Sequence, residues 1–152
     1  MVSFKSVDEL LDFAISKEEK AYDFYMGLSK RFTRNPTLEK VFTGFAKEEL
    51  GHKSKLQNIK QGQTLLSAAD KVMDLKIADY TVDMEPSPEM DYGDALVLAM
   101  KMEKASFRLY SDLAESTNDA TLADTLRALA QEEAKHKLRF ELEYDEYAQR
   151  EN

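Results

Sequence analysis

The sequence of 152 residues contains no cysteine, no tryptophan, three prolines and only two histidines. Without cysteine the chain forms no disulfide and no metal site with thiolate ligands. Three prolines and five glycines are few helix breakers, so the chain has room for long helices. Any metal chemistry must therefore use oxygen and imidazole ligands.

Positive charge and long apolar runs are also scarce. The formal net charge is -8 and the pI is about 4.9, which argues against nucleic acid or an anionic membrane as the main partner. The longest unbroken apolar run, residues 95–100, is far too short to span a bilayer. The N-terminal sequence MVSFKSVDELL lacks the basic-then-apolar pattern of a signal peptide. We therefore predict a soluble cytoplasmic protein.

The two histidines share one sequence context. His52 follows Glu49 by three residues, and His136 follows Glu133 by three. On a helix, residues three apart project from one face, where a carboxylate and an imidazole can hold one metal ion. A surface Glu/His pair that stabilises its helix by a few tenths of a kcal/mol would show the same spacing. The rest of the chain has to decide between these alternatives.

Apolar residues recur at helical spacing in four segments. Ser6 and Glu9 form a capping-box pattern, in which Glu9 reaches back to the N–H of Ser6. Asn35 is the predicted cap of the second helix, with Pro36 in its first turn. The third helix opens at residues 87–88 or at Asp91. The predicted helices cover about residues 6–32, 36–60, 89–116 and 119–147.

Residues 61–88 interrupt the helical pattern. Gly62 is the predicted end of the second helix, residues 65–78 have the composition of a short helix, and residues 83–88 that of a loop. Such a connection is long for a hairpin and can carry the chain back along a bundle. We therefore predict an all-α fold in a single domain over residues 1–152, an antiparallel four-helix bundle with a long crossover between helices 2 and 3.

Glutamates interrupt the apolar stripes of helices one and three. Glu18 and Glu103 lie in line with apolar residues, and Tyr25 and Tyr110 follow them by seven residues. Each half of the chain therefore has Glu, Tyr, a turn and Glu-x-x-His, and its two glutamates are 31 or 30 residues apart. This repeat predicts two helical hairpins related by a rough two-fold axis.

With these stripes inward, four carboxylates and two imidazoles would meet at one level of the core. Without cations, buried carboxylates would suffer desolvation and mutual repulsion. Two divalent ions remove that cost, and oxygen-rich ligation with some imidazole suits iron or manganese, with zinc as a substitute. The predicted metal ligands are Glu18, Glu49, His52, Glu103, Glu133 and His136.

The four ligand segments also support a family resemblance. In their order, and with the long crossover, they resemble the rubrerythrin-type branch of the ferritin-like superfamily over about residues 6–145. The resemblance implies a ferritin-like bundle that binds two iron ions. The segments are Glu18-x-x-Ala21-x-x-x-Tyr25, Glu49-x-x-His52, Glu103-x-x-Ser106-x-x-x-Tyr110 and Glu133-x-x-His136.

The resemblance implies roles for these residues. Glu49 and Glu133 bridge or flank the metals, Glu18 and Glu103 bind from the other two helices, and the two histidines terminate the site. The hydroxyls of Tyr25 and Tyr110 would hydrogen-bond ligand carboxylates and order the site. The alternative for both tyrosines is an ordinary core aromatic with a polar neighbour. Three other aromatics are assigned to core or an interface: Phe24, Phe45 and Phe107.

Two departures from the rubrerythrin pattern affect the prediction. Rubrerythrins with peroxidase activity carry a cysteine-ligated iron domain that supplies electrons, and this sequence has no cysteine. An external electron-donor protein is therefore predicted. Such rubrerythrins also often have an extra glutamate three residues after the helix-three ligand, where this chain has Ser106.

Three functions fit the sequence. The favoured one is a di-iron oxidoreductase that reduces hydrogen peroxide or dioxygen, with peroxide preferred by resemblance. The second is a ferroxidase or iron carrier, which would take up more than two irons per chain. The third is a non-enzymatic bundle that uses the metal for stability or binds a partner protein. A homodimer is expected only because two-fold pairs are the commonest oligomer.

Overall fold

The computed structural model describes residues 2–151, with side chains for residues 2–150. This part of the chain is helical, and its one β feature is an isolated antiparallel bridge between Ser3 and Lys76. No helix within it is long and apolar enough to cross a membrane. The chain divides into two compact units, residues 4–69 and the chain from Asp70 onward, to which Ser3 also belongs.

The first unit contains the first hairpin, made of α1 (Val7–Lys30) and α2 (Pro36–Gly62). Ser6 caps α1 as predicted, because its side chain accepts a hydrogen bond from the N–H of Glu9 at 3.0 Å. The reciprocal bond differs from the capping-box prediction. Glu9 Oε1 accepts from the N–H of Lys5 at 3.3 Å, one residue before the cap.

The second helix begins and ends where its capping residues predict. Asn35 Oδ1 accepts a hydrogen bond from the N–H of Leu38 at 3.3 Å, and Pro36 is the first helical residue. Gly62 is the last helical residue, but the left-handed conformation falls on Gln63, with φ 54°. The apolar residues buried inside the hairpin include Leu10, Leu11, Ala14, Leu28, Phe42, Ala46 and Leu56.

The connection after α2 is broken into short pieces, so the possible short helix over residues 65–78 forms only in part. The pieces are a 3₁₀ turn at Leu66–Ala68, the four-residue α3 at Ala69–Val72 and a second 3₁₀ turn at Ile77–Tyr80. Val2 and Ser3 form hydrogen bonds with this connection. The N–H of Ile77 donates to Val2 O, and Lys76 Nζ donates to Ser3 Oγ, both at 3.0 Å.

Tyr80 fastens the connection to the long helix that follows. Its side chain is buried, and its hydroxyl donates to Asp112 Oδ2 at 2.6 Å. The Arg108 guanidinium lies 5.9 Å from the centre of the Tyr80 ring and 3.5 Å from Asp79 Oδ2. Burial is the main cause that raises the pKa of Tyr80 well above its usual range, and the hydrogen bond to Asp112 is the second cause. The phenol therefore stays protonated.

The second unit contains the second hairpin, made of α4 (Tyr92–Ser116) and α5 (Ala120–Glu151). Asp91 is the cap of α4, since its side chain accepts from the N–H of Gly93 at 3.0 Å. Residues 117–119 form the turn, as predicted. In it Asp119 Oδ1 accepts from the N–H of Leu122 at 3.0 Å.

Residues 141–150, the polar end of α5, remain helical, and most of them lie at the surface. Glu143 is only 4% exposed, and its Oε1 accepts from the Tyr92 hydroxyl at 3.1 Å and from Arg150 Nη2 at 3.3 Å. The Tyr147 hydroxyl donates to Asp91 Oδ1 at 3.3 Å. Burial, followed by the Glu143 charge, raises the pKa of Tyr92 above its usual range. This network joins the start of α4 to the end of α5.

Candidate metal centre

The first hairpin brings one carboxylate of α1 to a Glu-x-x-His pair of α2. His52 Nδ1 lies 3.6 Å from Glu18 Oε2 and 3.8 Å from Glu49 Oε1. All three side chains are at most 2% exposed. We call these three residues the first half-site.

The second hairpin repeats this arrangement with α4 and α5. His136 Nδ1 lies 3.4 Å from Glu103 Oε1 and 3.8 Å from Glu133 Oε1. These residues are again at most 2% exposed. They form the second half-site. Its separations between His Nδ1 and the carboxylates agree with those of the first half-site to within 0.2 Å or better.

The spacing within each half-site suits a shared cation. The imidazole–carboxylate separations of 3.4–3.8 Å exceed the length of a good N–H···O hydrogen bond. Ligand atoms that each lie about 2.1 Å from one ion are separated by roughly 3.0–3.5 Å, so small rotations would place these groups on a single ion. Carboxylate oxygen with imidazole nitrogen suits iron, manganese or zinc. The residues present therefore fit a divalent metal.

The helical stripes explain why these acids are buried and their sequence neighbours are not. Glu18 lies between the buried Ala14 and Ala21 on α1, whereas Glu19, about 100° further round the helix, is 51% exposed. On α2, Glu49 is buried and Glu48 is exposed. A helix that turns its apolar stripe inward therefore carries these glutamates inward with it.

Tyr25 and Tyr110 are fully buried, at 0% and 1% exposure. The Tyr25 ring packs edge-on to Phe45 with ring centroids 6.5 Å apart, and the Phe24 ring lies 5.8 Å away. The burial of both tyrosines and the ring contacts of Tyr25 agree with both of the roles considered for them. Their hydrogen bonds to ligand carboxylates stay a prediction.

Four other residues singled out in the sequence lie in different environments. Ser106, one turn after Glu103, is buried at 7% exposure. Phe24 and Phe45 are half-buried. Phe107 is 41% exposed, which excludes the core and leaves the interface, the other assignment, as a prediction. It lies four residues after Glu103, at the edge of the buried face of α4. At such an edge the spacing of apolar residues does not determine whether a side chain is buried.

Glu143 has a buried carboxylate that was not predicted from the sequence. It lies seven residues after His136 and three after the buried Phe140, so it continues the inward stripe of α5. The same seven-residue spacing that linked Glu18 to Tyr25 would have found it. Its partners are Tyr92 and Arg150, and the structure does not place it within either half-site.

Comparison with solved structures defines the fold class. A crystal structure from Thermotoga maritima, described as a candidate ferritin-like diiron-carboxylate protein, aligns with a TM-score of 0.79 at 22% identity. The alignment covers 97% of this chain and 99% of that one. The chain therefore has the all-α, ferritin-like fold predicted from its sequence.

Comparison with protein families gives the family. The rubrerythrin family model matches residues 9–144, which include every residue of both half-sites. The chain belongs to the rubrerythrin family, and the resemblance predicted from its four ligand segments is confirmed. Among curated proteins, no match reaches significance.

Proposed function

We propose that this protein is a non-haem di-iron oxidoreductase that reduces hydrogen peroxide. The observation that carries the proposal is the pair of equivalent half-sites, each with two glutamates and one histidine at most 2% exposed. Membership of the rubrerythrin family and the ferritin-like fold support iron as the metal. In this proposal each half-site holds one ion, and the two ions act as a pair.

The residues of this chain would supply geometry and charge. Glu18, Glu49 and His52 would hold one ion, and the corresponding residues of the second half-site the other. Four carboxylates would neutralise the four positive charges of two Fe(II) ions, which lowers the desolvation cost of burying these groups. A ferrous pair supplies two electrons when bound, one from each metal. The buried half-sites would keep bulk water from the reacting atoms.

The reaction needs an electron source. Reduction of one hydrogen peroxide consumes two electrons and two protons and gives two water molecules. The sequence has no cysteine, so the electrons cannot come from a cysteine-ligated iron site within these 152 residues. We therefore include in the proposal an external protein that carries one electron at a time and reacts twice per peroxide.

Anaerobic loading with Fe(II), followed by rapid mixing with peroxide or dioxygen, tests this function. Iron analysis should give two ions per chain, and the visible spectrum should change faster with peroxide than with dioxygen. Uptake of many irons per chain, or faster oxidation by dioxygen, would favour iron handling instead. Iron loading without any reaction would leave the metal with a structural role only.

A further inference from the structure

The residues that follow the proposed ligands differ between the two hairpins. In the first hairpin Glu19 follows Glu18 and Lys53 follows His52. Lys53 Nζ and Glu19 Oε1 are 3.0 Å apart, so an ion pair crosses from α2 to α1 beside the first half-site. The corresponding residues of the second hairpin are Lys104 and Lys137, which have the same sign of charge.

The second hairpin therefore has no equivalent ion pair at this position. Lys137 Nζ contacts Glu141 Oε1 of its own helix instead, at 3.3 Å. Lys101, Lys104 and Arg108 are spaced by three and four residues, which places them on one face of α4, and all three are exposed. We call Lys101, Lys104, Arg108 and Lys137 the basic strip.

The basic strip is unusual in a chain with a net charge of -8. The corresponding positions on α1 are Ser16, Glu19 and Asp23, so the charge of this face is reversed between the two hairpins. Next to the strip, Phe107 exposes 41% of its surface, three residues after Lys104. An exposed aromatic bordered by cations has the composition of a small protein interface, apolar at the centre and charged at the rim.

We propose that the basic strip is the docking surface for an acidic protein that carries one electron. This inference rests on the proposed oxidoreductase function. Lys104 and Lys137 are the chain neighbours of Glu103 and His136, so a carrier bound here approaches the second half-site along a short path. Electron transfer becomes slower with distance, which makes a docking surface next to the ligands advantageous.

The size and charge of the strip favour a transient protein partner. Electron-transfer complexes use small interfaces, at the low end of the range for protein pairs, and a few cations around one exposed aromatic suit such a contact. Two of the cations also pair within the chain, Arg108 with Asp79 and Lys137 with Glu141, so Lys101 and Lys104 contribute most of the net positive charge. Complementary charge raises the rate of encounter more than it raises affinity, which suits a carrier that must bind and leave twice per turnover.

A binding experiment tests the docking surface without any reaction at the metal. Isotope-labelled protein is titrated at low ionic strength with flavodoxin, used as an acidic one-electron carrier, while backbone amide signals are followed by NMR. Signals of residues 101–108 should shift, and the shifts should vanish at high salt. The double variant Lys104→Glu/Lys137→Glu should lose them. Absence of binding, or shifts confined to other helices, would overturn the proposal.

A kinetic experiment connects the docking surface to electron transfer. Reduction of the ferric protein by photoreduced flavodoxin should be slower in the double variant by on the order of tenfold at low salt. Lys40→Glu/Lys55→Glu on α2 is the matched control, because both lysines are exposed and the change of net charge is equal. It should react at the wild-type rate. Equal rates for wild type and Lys104→Glu/Lys137→Glu would contradict the docking surface.

A small reductant separates this inference from the proposed function. The cationic methyl viologen radical needs no acidic docking surface and should reduce wild type and both double variants equally well. If the reduced wild-type protein then fails to consume peroxide, the proposed function fails, while the NMR result still decides whether the basic strip binds the carrier.

Discussion

The two hairpins have the same inward pattern, but their outer faces and their ends differ. In both, a histidine contacts two buried glutamates at nearly the same distances. Outside the half-sites, Glu19 corresponds to Lys104. Near the helix ends, the buried Ile59 of α2 corresponds to the buried Glu143 of α5. The two halves of this chain therefore have the same residue types at the inward positions, two glutamates and one histidine in each.

This difference indicates which positions the proposed metals constrain. A ligand must be a particular residue at a particular distance, whereas an outer or terminal position needs only compatible neighbours. Ile59 packs as an apolar residue, and Glu143 is tolerated at the corresponding position because Tyr92 and Arg150 donate hydrogen bonds to it.

The largest expected effect comes from removing one histidine. His52→Ala and His136→Ala should each lower the iron content from two ions to one per chain. Each should lower peroxide consumption by more than the roughly 10–100-fold typical of changing a neighbour of a ligand. Metal analysis and stopped-flow spectroscopy measure both effects.

Controls for this prediction are the neighbouring lysines. Lys53→Ala and Lys137→Ala should bind two ions, because their side chains lie outside the half-sites. Unequal iron loss between the two histidine variants would show that the half-sites are not equivalent, and unchanged iron content in both would contradict the proposed ligands.

Removal of the metal should have the next largest effect. Ligand binding to the folded state alone stabilises by about 4 kcal/mol when free Fe(II) is a thousand times its dissociation constant. For a chain of this size that corresponds to a fall in Tm on the order of 10 °C when a chelator removes the metal. Anaerobic calorimetry with and without chelator measures this change.

A glutamine variant gives the opposite sign in the metal-free protein. Glu49→Gln and Glu133→Gln each remove one buried charge, so each should raise the Tm of the metal-free protein and lower that of the iron-loaded protein. A variant that lowers both values would show that its glutamate has a structural role in the absence of metal.

Comparison of these features with the sequence shows which of them are locally encoded. Ser6, Asn35 and Asp91 act as helix caps through their own side chains, so a few neighbouring residues suffice to predict them. The inward glutamates follow from the helical period in the same way. The fold class and the family then follow from the order and spacing of these segments, and both predictions are confirmed.

Other features depend on contacts distant in sequence. Tyr80 is buried because its hydroxyl bonds to Asp112 and its ring contacts the Arg108 guanidinium, both on α4. The residues next to Tyr80 in the sequence do not predict these contacts. Glu143 depends on Tyr92, which lies 51 residues earlier. The left-handed residue at Gln63, instead of at Gly62, is a local detail that the glycine preference alone does not determine.

A moderate loss of stability is expected when the Tyr80 contact between the connection and α4 is weakened. Tyr80→Phe removes the 2.6 Å hydrogen bond to Asp112 and should lower the free energy of unfolding by about 1 kcal/mol at neutral pH. Urea denaturation measures the loss. Tyr25→Phe is a comparison in the first hairpin, and it should additionally change the metal spectrum if its hydroxyl orders a ligand.

The pH dependence of the Tyr80 contribution has a definite sign. Because the folded protein raises the pKa of Tyr80, its stabilising contribution is fully present below the ordinary tyrosine pKa of about 10. It decreases as the pH rises above that value, since the unfolded chain then ionises and the folded chain does not. The stability difference between wild type and Tyr80→Phe should therefore shrink above about pH 10, and a difference that grows there would contradict the assignment.

The smallest expected effect concerns the outer charges that distinguish the hairpins. Lys104→Glu should create across α4 and α5 the ion pair that Lys53 and Glu19 form across α1 and α2, and should stabilise the protein by about 0.5 kcal/mol. The gain should require the second lysine, so Lys104→Glu in a Lys137→Ala background should give no stabilisation. A double-mutant cycle in urea measures this coupling, and high salt should reduce it, because both partners of such a pair are accessible to solvent. If the coupling is absent, the outer face of the second hairpin has a geometry that the first does not share, and the equivalence of the two hairpins is limited to the buried ligands.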